Sequence, residues 1–178
     1  MDENDFLEST YSCFAWHGTS EINANNIKQS GEWKESSPET KWLGKGVYFM
    51  ENNKFWACSW AKNGKHKTDN PVVLKTFIEI KRKSFFDMTN DKWYKLFLST
   101  RNNLIKRNII KKDEINDGHV IDYICKIFDK SSSKYPIKAV KNIRCYKNNN
   151  FPSNFSNSQI QICVKDTNII KIIKIEKC

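Results

Sequence analysis

The chain has 178 residues, 39% of them hydrophobic and 13% aromatic, which fits one packed globular domain with a real core and excludes a disordered chain. Thirty basic against 20 acidic residues leave a net charge of +10, which favours polyanionic partners, although Lys and Asn are abundant everywhere and a general compositional bias accounts for the charge equally well. The six Cys show no CxxC spacing, there are only three His, and neither an apolar leader nor a membrane-length apolar run is present, so the expectation is a cytoplasmic protein with reduced thiols, no metal and no membrane contact.

In chain order, residues 11–17 (YSCFAWH) read as a strand entering a turn at Gly18. Residues 19–28 read as a helix, with Thr19 or Ser20 as its N-cap. Residues 30–43 hold Gly, Pro, Ser and charges, and read as a loop of a length that is often functional. Residues 46–50 (GVYFM) read as a short strand, and 51–63 as a helix that groups Phe55, Trp56, Ser59 and Trp60. Residues 64–70 read as a polar turn. The β-branched alternation of 72–80 (VVLKTFIEI) predicts a strand. Two helices are expected near 91–107 and 113–128, then a loop at 130–136 and a strand at 138–146. After the polar segment 147–156, residues 158–165 alternate Ile160, Ile162 and Val164 against Gln159, Gln161 and Cys163. Residues 169–175 give the last strand. Strands are not joined one for one by crossover helices, so the fold class is α+β in a single domain spanning 1–178.

Three segments carry chemistry together. They are His17-Gly18-Thr19 at the end of an apolar strand, Gly44-Lys45-Gly46-Val47-Tyr48-Phe49, and Gln161-Ile162-Cys163-Val164-Lys165-Asp166 on a late strand. Each has a plain structural explanation alone: a strand end, a turn, a solvated Gln. In combination and order they resemble the ADP-ribosyltransferase superfamily, in the branch shared by diphtheria-type toxins and poly(ADP-ribose) polymerases. That branch carries HG[TS], GKG[IV]YF and Glu-x-[IV]-V-x-[DN] motifs, and Gln161 stands where the polymerases carry Glu. The resemblance spans about residues 11–175. It implies a split β-sandwich core with flanking helices around an NAD cleft, and NAD as co-substrate.

The residue types suit that chemistry. Gly18 lets the backbone approach a ligand closely, and in the family this glycine's N–H and C=O pair with the nicotinamide carboxamide. His17 is implied to hydrogen-bond the adenosine ribose, beside Thr19. Tyr48 is implied to stack on the nicotinamide, whose cationic pyridinium adds a cation–π contribution; Gly44 and Gly46 let its strand approach. Cleavage of the nicotinamide–ribose bond passes through an oxocarbenium-like state, as in glycosidases. A carboxylate at the position of Gln161 would stabilise it, whereas the amide offers a hydrogen bond without charge.

Gln159 lies two residues earlier on the same face, in a Gln-x-Gln version of the [EQ]-x-E pair that some members use toward their target, so it is either substrate-facing or plain surface. In the polymerases the helix after the Tyr supplies a carboxamide-binding Ser and then a second aromatic; here Trp56 falls at the Ser position and Ser59 at the aromatic one. Trp56 and Trp60 are therefore candidates for the second stacking face, with helix core as the alternative. Lys41, Lys45 and the 30–43 loop are candidate phosphate donors. His66 and His119 read as structural or solvent-facing. Lys81-Arg82-Lys83 and Lys106-Arg107…Lys111-Lys112 are solvated faces or a nucleic-acid track.

The expected function is NAD-dependent mono-ADP-ribosyl transfer to nucleic acid (RNA or DNA) or protein. The compact basic chain suits a bacterial toxin, an effector, or the toxin of a toxin–antitoxin or phage-defence pair with an antitoxin protein as partner. The alternatives are an inactive module that binds NAD or ADP-ribose, suggested by Gln161, and an NAD-dependent RNA 2′-phosphotransferase, which also uses an HGT strand end.

Overall fold

A computed structural model describes residues 3–36, 42–64, 67–111, 115–130, 135–146 and 157–178. The elements are α1 (Glu3–Glu8), β1 (Thr10–Ser20), α2 (Glu21–Ser30), β2 (Val47–Glu51), α3 (Lys54–Asn63), β3 (Pro71–Lys81), β4 (Phe85–Asp87), α4 (Asp91–Lys106), α5 (Asp117–Lys130), β5 (Ala139–Tyr146), β6 (Asn157–Val164) and β7 (Ile170–Lys177). The α+β class holds. Short α1 and β4 are too brief to leave a periodic signal in the sequence. Lys41, His66, Lys112, the Ser run and the whole 147–156 segment lie outside the described residues.

The seven strands form one sheet in the order β4-β5-β6-β2-β1-β3-β7, antiparallel except for the β4–β5 pair. One seam in it is thin. β1 and β3 pair along their whole length, from Thr10↔Lys81 to Ser20↔Pro71. β1 and β2 pair only at Ala15↔Glu51 and Trp16↔Met50. The sheet is thus two wings, β4-β5-β6-β2 and β1-β3-β7, held by a two-residue ladder. The full β1–β3 pairing also corrects the expected turn at Gly18. The strand continues to Ser20, whose side chain caps α2 by accepting from Asn23 N–H at 3.2 Å.

Side-chain alternation then assigns the faces. Cys13, Ala15, Ile78 and Ile80 of one wing meet Val47, Phe49, Ile162 and Val164 of the other in an inner core. Helices α4 and α5 cover the far side of the first wing over Phe86, Val140 and Cys163. Helix α2 packs on Val72 and Leu74 of β3 through Ala24 and Ile27. Helix α3 covers the seam over Met50 and Val73. A partly buried polar pin crosses the wings beside the seam: Tyr11 donates to Glu51 at 2.6 Å, and Lys141 lies 3.2 Å from the same carboxylate. No helix is long and apolar enough to cross a membrane.

The expectation of reduced thiols is corrected at one pair. Cys58 of α3 and Cys178, beyond β7, form a disulfide, with Cα atoms 5.3 Å apart and 120 positions between them in sequence. A pair so distant leaves no spacing signature. Closing so long a loop restricts the unfolded chain, so reduction is expected to lower unfolding free energy by about 4 kcal/mol. Urea titration with and without dithiothreitol measures this; identical midpoints would show that the bond contributes nothing.

Candidate active site at the wing seam

The seam brings together the segments singled out in the sequence. On β2 and β6 the register places Tyr48 opposite Cys163 and Met50 opposite Gln161. His17, one residue past the last β1–β2 pair, reaches Tyr48 through its backbone: Nδ1 lies 2.8 Å from the Tyr48 carbonyl oxygen. A carbonyl only accepts, so Nδ1 carries the hydrogen and Nε2 keeps its lone pair. The imidazole meets Trp33 edge-on and leans on Phe49, both at 5.5 Å between centroids. Burial lowers its pKa below the ordinary histidine value, and the bond to the Tyr48 carbonyl opposes that only in part.

A histidine held neutral in the fold but protonated in the unfolded chain makes the unfolded state the better proton binder. Stability therefore rises with pH across the window between the depressed native pKa and about 6.5. The urea midpoint is expected to fall as pH drops below about 6.5, and the non-titrating His17→Gln variant to show a flatter slope. Equal slopes in both proteins would exclude His17 as the source.

Gly18 combines two constraints. A Cβ there would collide with the backbone carbonyl of Ala57, so glycine lets α3 lie directly on β1. This close helix contact, rather than a ligand, is the neighbour the missing side chain makes room for. Its peptide groups point elsewhere. Phe14 C=O accepts from Asn52 N–H at 2.9 Å, which aims the Phe14 backbone at the β2 side. Ala15 C=O takes the Thr76 hydroxyl at 2.8 Å, toward β3. Backbone direction alternates along an antiparallel strand, so Gly18 directs its N–H and C=O to the β2 side. There the β1–β2 ladder has already ended, and Gly18 presents a strand edge at the mouth of the seam.

Tyr48 is half-buried. Its hydroxyl donates to Gly44 C=O at 2.9 Å and accepts from Leu43 N–H at 3.0 Å, fastening the turn before β2 to the ring. Gly44 takes a positive φ of 78° there. The same turn is held from outside. Lys165 donates to Leu43 C=O at 3.0 Å and sits 3.1 Å from Asp122, which accepts Lys45 N–H at 2.8 Å. Burial raises the Tyr48 pKa and keeps the phenol protonated. Burial also pushes the adjacent Cys163 thiol up to about 11, with Lys165 opposing, so no thiolate nucleophile stands ready near neutral pH.

Gln159 and Gln161 are 3% and 2% exposed, which removes the surface reading for both. Gln161 Oε1 accepts from Trp42 Nε1–H at 2.8 Å, and its Nε2–H donates to Gln159 Oε1 at 3.0 Å. Trp42 was not singled out in the sequence; an indole directly before Leu43-Gly44, at the end of a mostly polar loop, was the available signal. The Asp122–Lys165 clamp was half visible, since Lys165 belongs to the late motif while Asp122 comes from a distant helix.

The remaining candidates scatter. Trp56 is half-buried against the α3–sheet core, as a packing residue would be, and Trp60 is exposed. Thr19 is half-buried opposite Val72. Lys45 is exposed and ion-pairs with Glu35 at 2.6 Å. His119 is exposed at the start of α5, where its N–H bonds Asn116. Of the basic clusters, Lys83 pairs with Glu8, Lys81 donates to the Glu8 carbonyl and Arg82 lies over Phe6, so this group fastens α1. No group of three or more His, Cys, Asp or Glu converges among the described residues.

Two side-chain sets therefore flank the seam. His17 faces the inner core with Phe49. Tyr48, Gln161 and Trp42 face the α4–α5 side. The open Gly18 edge lies on β1 beside them. A separate cavity of about 490 Å³, lined by Phe6, Phe85, Trp93 and Leu96, holds none of these groups.

No model of a known protein family matches the sequence. The chain is similar to an uncharacterized protein of Methanocaldococcus jannaschii, 29% identical over 183 aligned positions that cover 88% of this chain and 83% of the relative.

Proposed function

We propose that the chain is an NAD-dependent mono-ADP-ribosyltransferase with an ADP-ribosyltransferase-like split sandwich, acting at the seam between its wings. One observation carries the reading: a strand edge at Gly18 opens where β1 parts from β2, next to the Tyr48 strand. A carboxamide presents an N–H donor and a C=O acceptor side by side, in the spacing that a peptide edge complements. An aromatic ring beside that edge supplies the stacking face for a cationic pyridinium. His17 Nε2, at the inner end, is an acceptor for a ribose hydroxyl.

In the reaction the bond from ribose C1′ to the nicotinamide nitrogen breaks. The electron pair leaves with nicotinamide, and the acceptor's nucleophilic atom bonds to C1′ and loses its proton. Tyr48 orients the ring that leaves. Gln161 retains one Oε1 lone pair and one Nε2 hydrogen after serving Trp42 and Gln159, enough to bind and orient a ribose hydroxyl. It brings no charge to the positive transition state. Slow turnover follows, with the acceptor's own nucleophile contributing much of the driving force. We place the activity where NAD is abundant, in a cytoplasm, as that of a toxin or effector with a cognate antitoxin, although the Cys58–Cys178 bond is of a kind rare in that compartment.

The engagement of both Gln161 amide atoms with neighbours favours one second reading, a module that holds NAD without turning it over. Calorimetric binding without nicotinamide release, followed by chromatography in the presence of whole-cell RNA, DNA and protein, would select it. Tyr48→Leu keeps apolar bulk against the α4–α5 core but loses the π face, so NAD binding is expected to weaken about 10-fold. Undiminished affinity in a folded Tyr48→Leu protein would remove Tyr48 from the site.

A further inference from the structure

The outer face of the β1-β3-β7 wing is only partly covered. Helix α3 packs on one end of it, at Val73 and Trp16. Beyond that end β1 and β3 set Phe14 directly opposite Phe77, ring centroids 5.5 Å apart, with Phe14 42% exposed. β7 continues the row by placing Lys171 opposite Phe77 and Lys174 opposite Lys75. Ile173, at the register slip beside Lys75, is 45% exposed. Lys75 Nζ stands 4.5 Å from the Phe14 ring centre and 5.4 Å from that of Trp16.

We propose that this face is a docking track for single-stranded nucleic acid. Unpaired bases offer flat π faces that stack on exposed aromatic rings, and their phosphates seek cations within a side chain's reach. Phe14 supplies the exposed ring and half-buried Phe77 stands edge-on beside it, with Lys75 and Lys171 on either side. The two carboxylates nearby weaken this little. Glu176 is shared by Lys54 and Lys174 at 3.0 and 2.9 Å, and Glu79 is the other, at the far end opposite Ser12. Lysines on an edge strand such as β7 also discourage strand addition. That role leaves unexplained an exposed phenylalanine on β1, two strands in from the edge. Duplex nucleic acid, with its bases stacked inside, has nothing to offer these rings.

The surface stands independently of the NAD reading. Where both hold, β1 carries the track on its outer face and Gly18 at the seam, which makes a single-stranded nucleic acid the acceptor class.

Fluorescence anisotropy with labelled oligothymidylate and oligouridylate tests the track on the whole chain without NAD, so its outcome is separate from that of the active-site reading. Wild type is expected to bind both, and a duplex of equal length more weakly. Phe14→Ser is expected to weaken binding about 10-fold. Lys75→Glu with Lys171→Glu is expected to flatten the slope of log affinity against log salt by about 1.4. Thermal melts identify variants that still fold; because Phe14 is exposed, Phe14→Ser tests the face even if the charge reversals misfold. The proposal is overturned by no binding by wild type, by equal binding by folded variants, or by loss of binding only on Lys106→Glu with Arg107→Glu at the end of α4. A wild-type dimer in sedimentation that Phe14→Ser splits would also overturn it, assigning the face to a second copy of the chain.

Discussion

Gln161→Glu is expected to raise the rate of nicotinamide release from NAD by about 100-fold. Removing one preorganised electrostatic contact from a developing charge costs on the order of 3 kcal/mol in enzymes, and this substitution adds such a contact. The site can accept a carboxylate. Trp42 Nε1–H already donates to this position, and Gln159 can turn its amide to donate as well. Both bonds favour the ionised form, against a desolvation penalty set by 2% exposure. Nicotinamide release by chromatography is the readout, with Gln161→Ala as the control that also lacks charge. If Gln161→Glu matches wild type while still binding NAD, Gln161 does not face the ribose and the transferase reading loses its catalytic position.

Gly18→Ala is expected to cost about 3 kcal/mol of stability. Its neighbour is the Ala57 carbonyl on the α3 backbone rather than the movable end of a side chain, so relief requires α3 to shift off β1. The same shift would disturb the mouth of the seam, so NAD binding should fall along with the urea midpoint. Gly31→Ala is the contrast, with open space around it but a positive φ of 73°. It tests backbone strain without a clash and should cost about 1 kcal/mol. If Gly18→Ala unfolds at the wild-type midpoint, the close α3–β1 contact is not what fixes glycine there.

Much of this was legible in the sequence where periodicity and chemistry agree. The alternation at 72–80 and 158–165, the two long helices and the α+β class follow from side-chain spacing alone. The seam did not. His17-Gly18-Thr19 looks like a strand end because His and Gly commonly punctuate strands. Only the partner β3, pairing through to Pro71, shows that β1 runs on. Gln159 and Gln161 alternate with Ile and read as solvated. Their burial depends on α4, α5 and Trp42 covering that face, a tertiary fact with no local trace. Of the two α3 candidates for a stacking face, Trp56 packs partly against the core beneath the helix and Trp60 is exposed, a difference that helix spacing alone does not reveal. Asp122 and the Cys58–Cys178 bond are long-range pairings, invisible to spacing rules.

Calorimetric titration of the intact chain with NAD, and in parallel with its nicotinic-acid analogue, tests the central claim most directly. The analogue replaces the carboxamide N–H donors with a carboxylate and so cannot donate to the Gly18 carbonyl. The account predicts saturable one-to-one binding of NAD and at least ~10-fold weaker binding of the analogue, since a lost donor leaves a desolvated carbonyl unpaired. Absence of NAD binding, or equal affinity for the two dinucleotides, would contradict it.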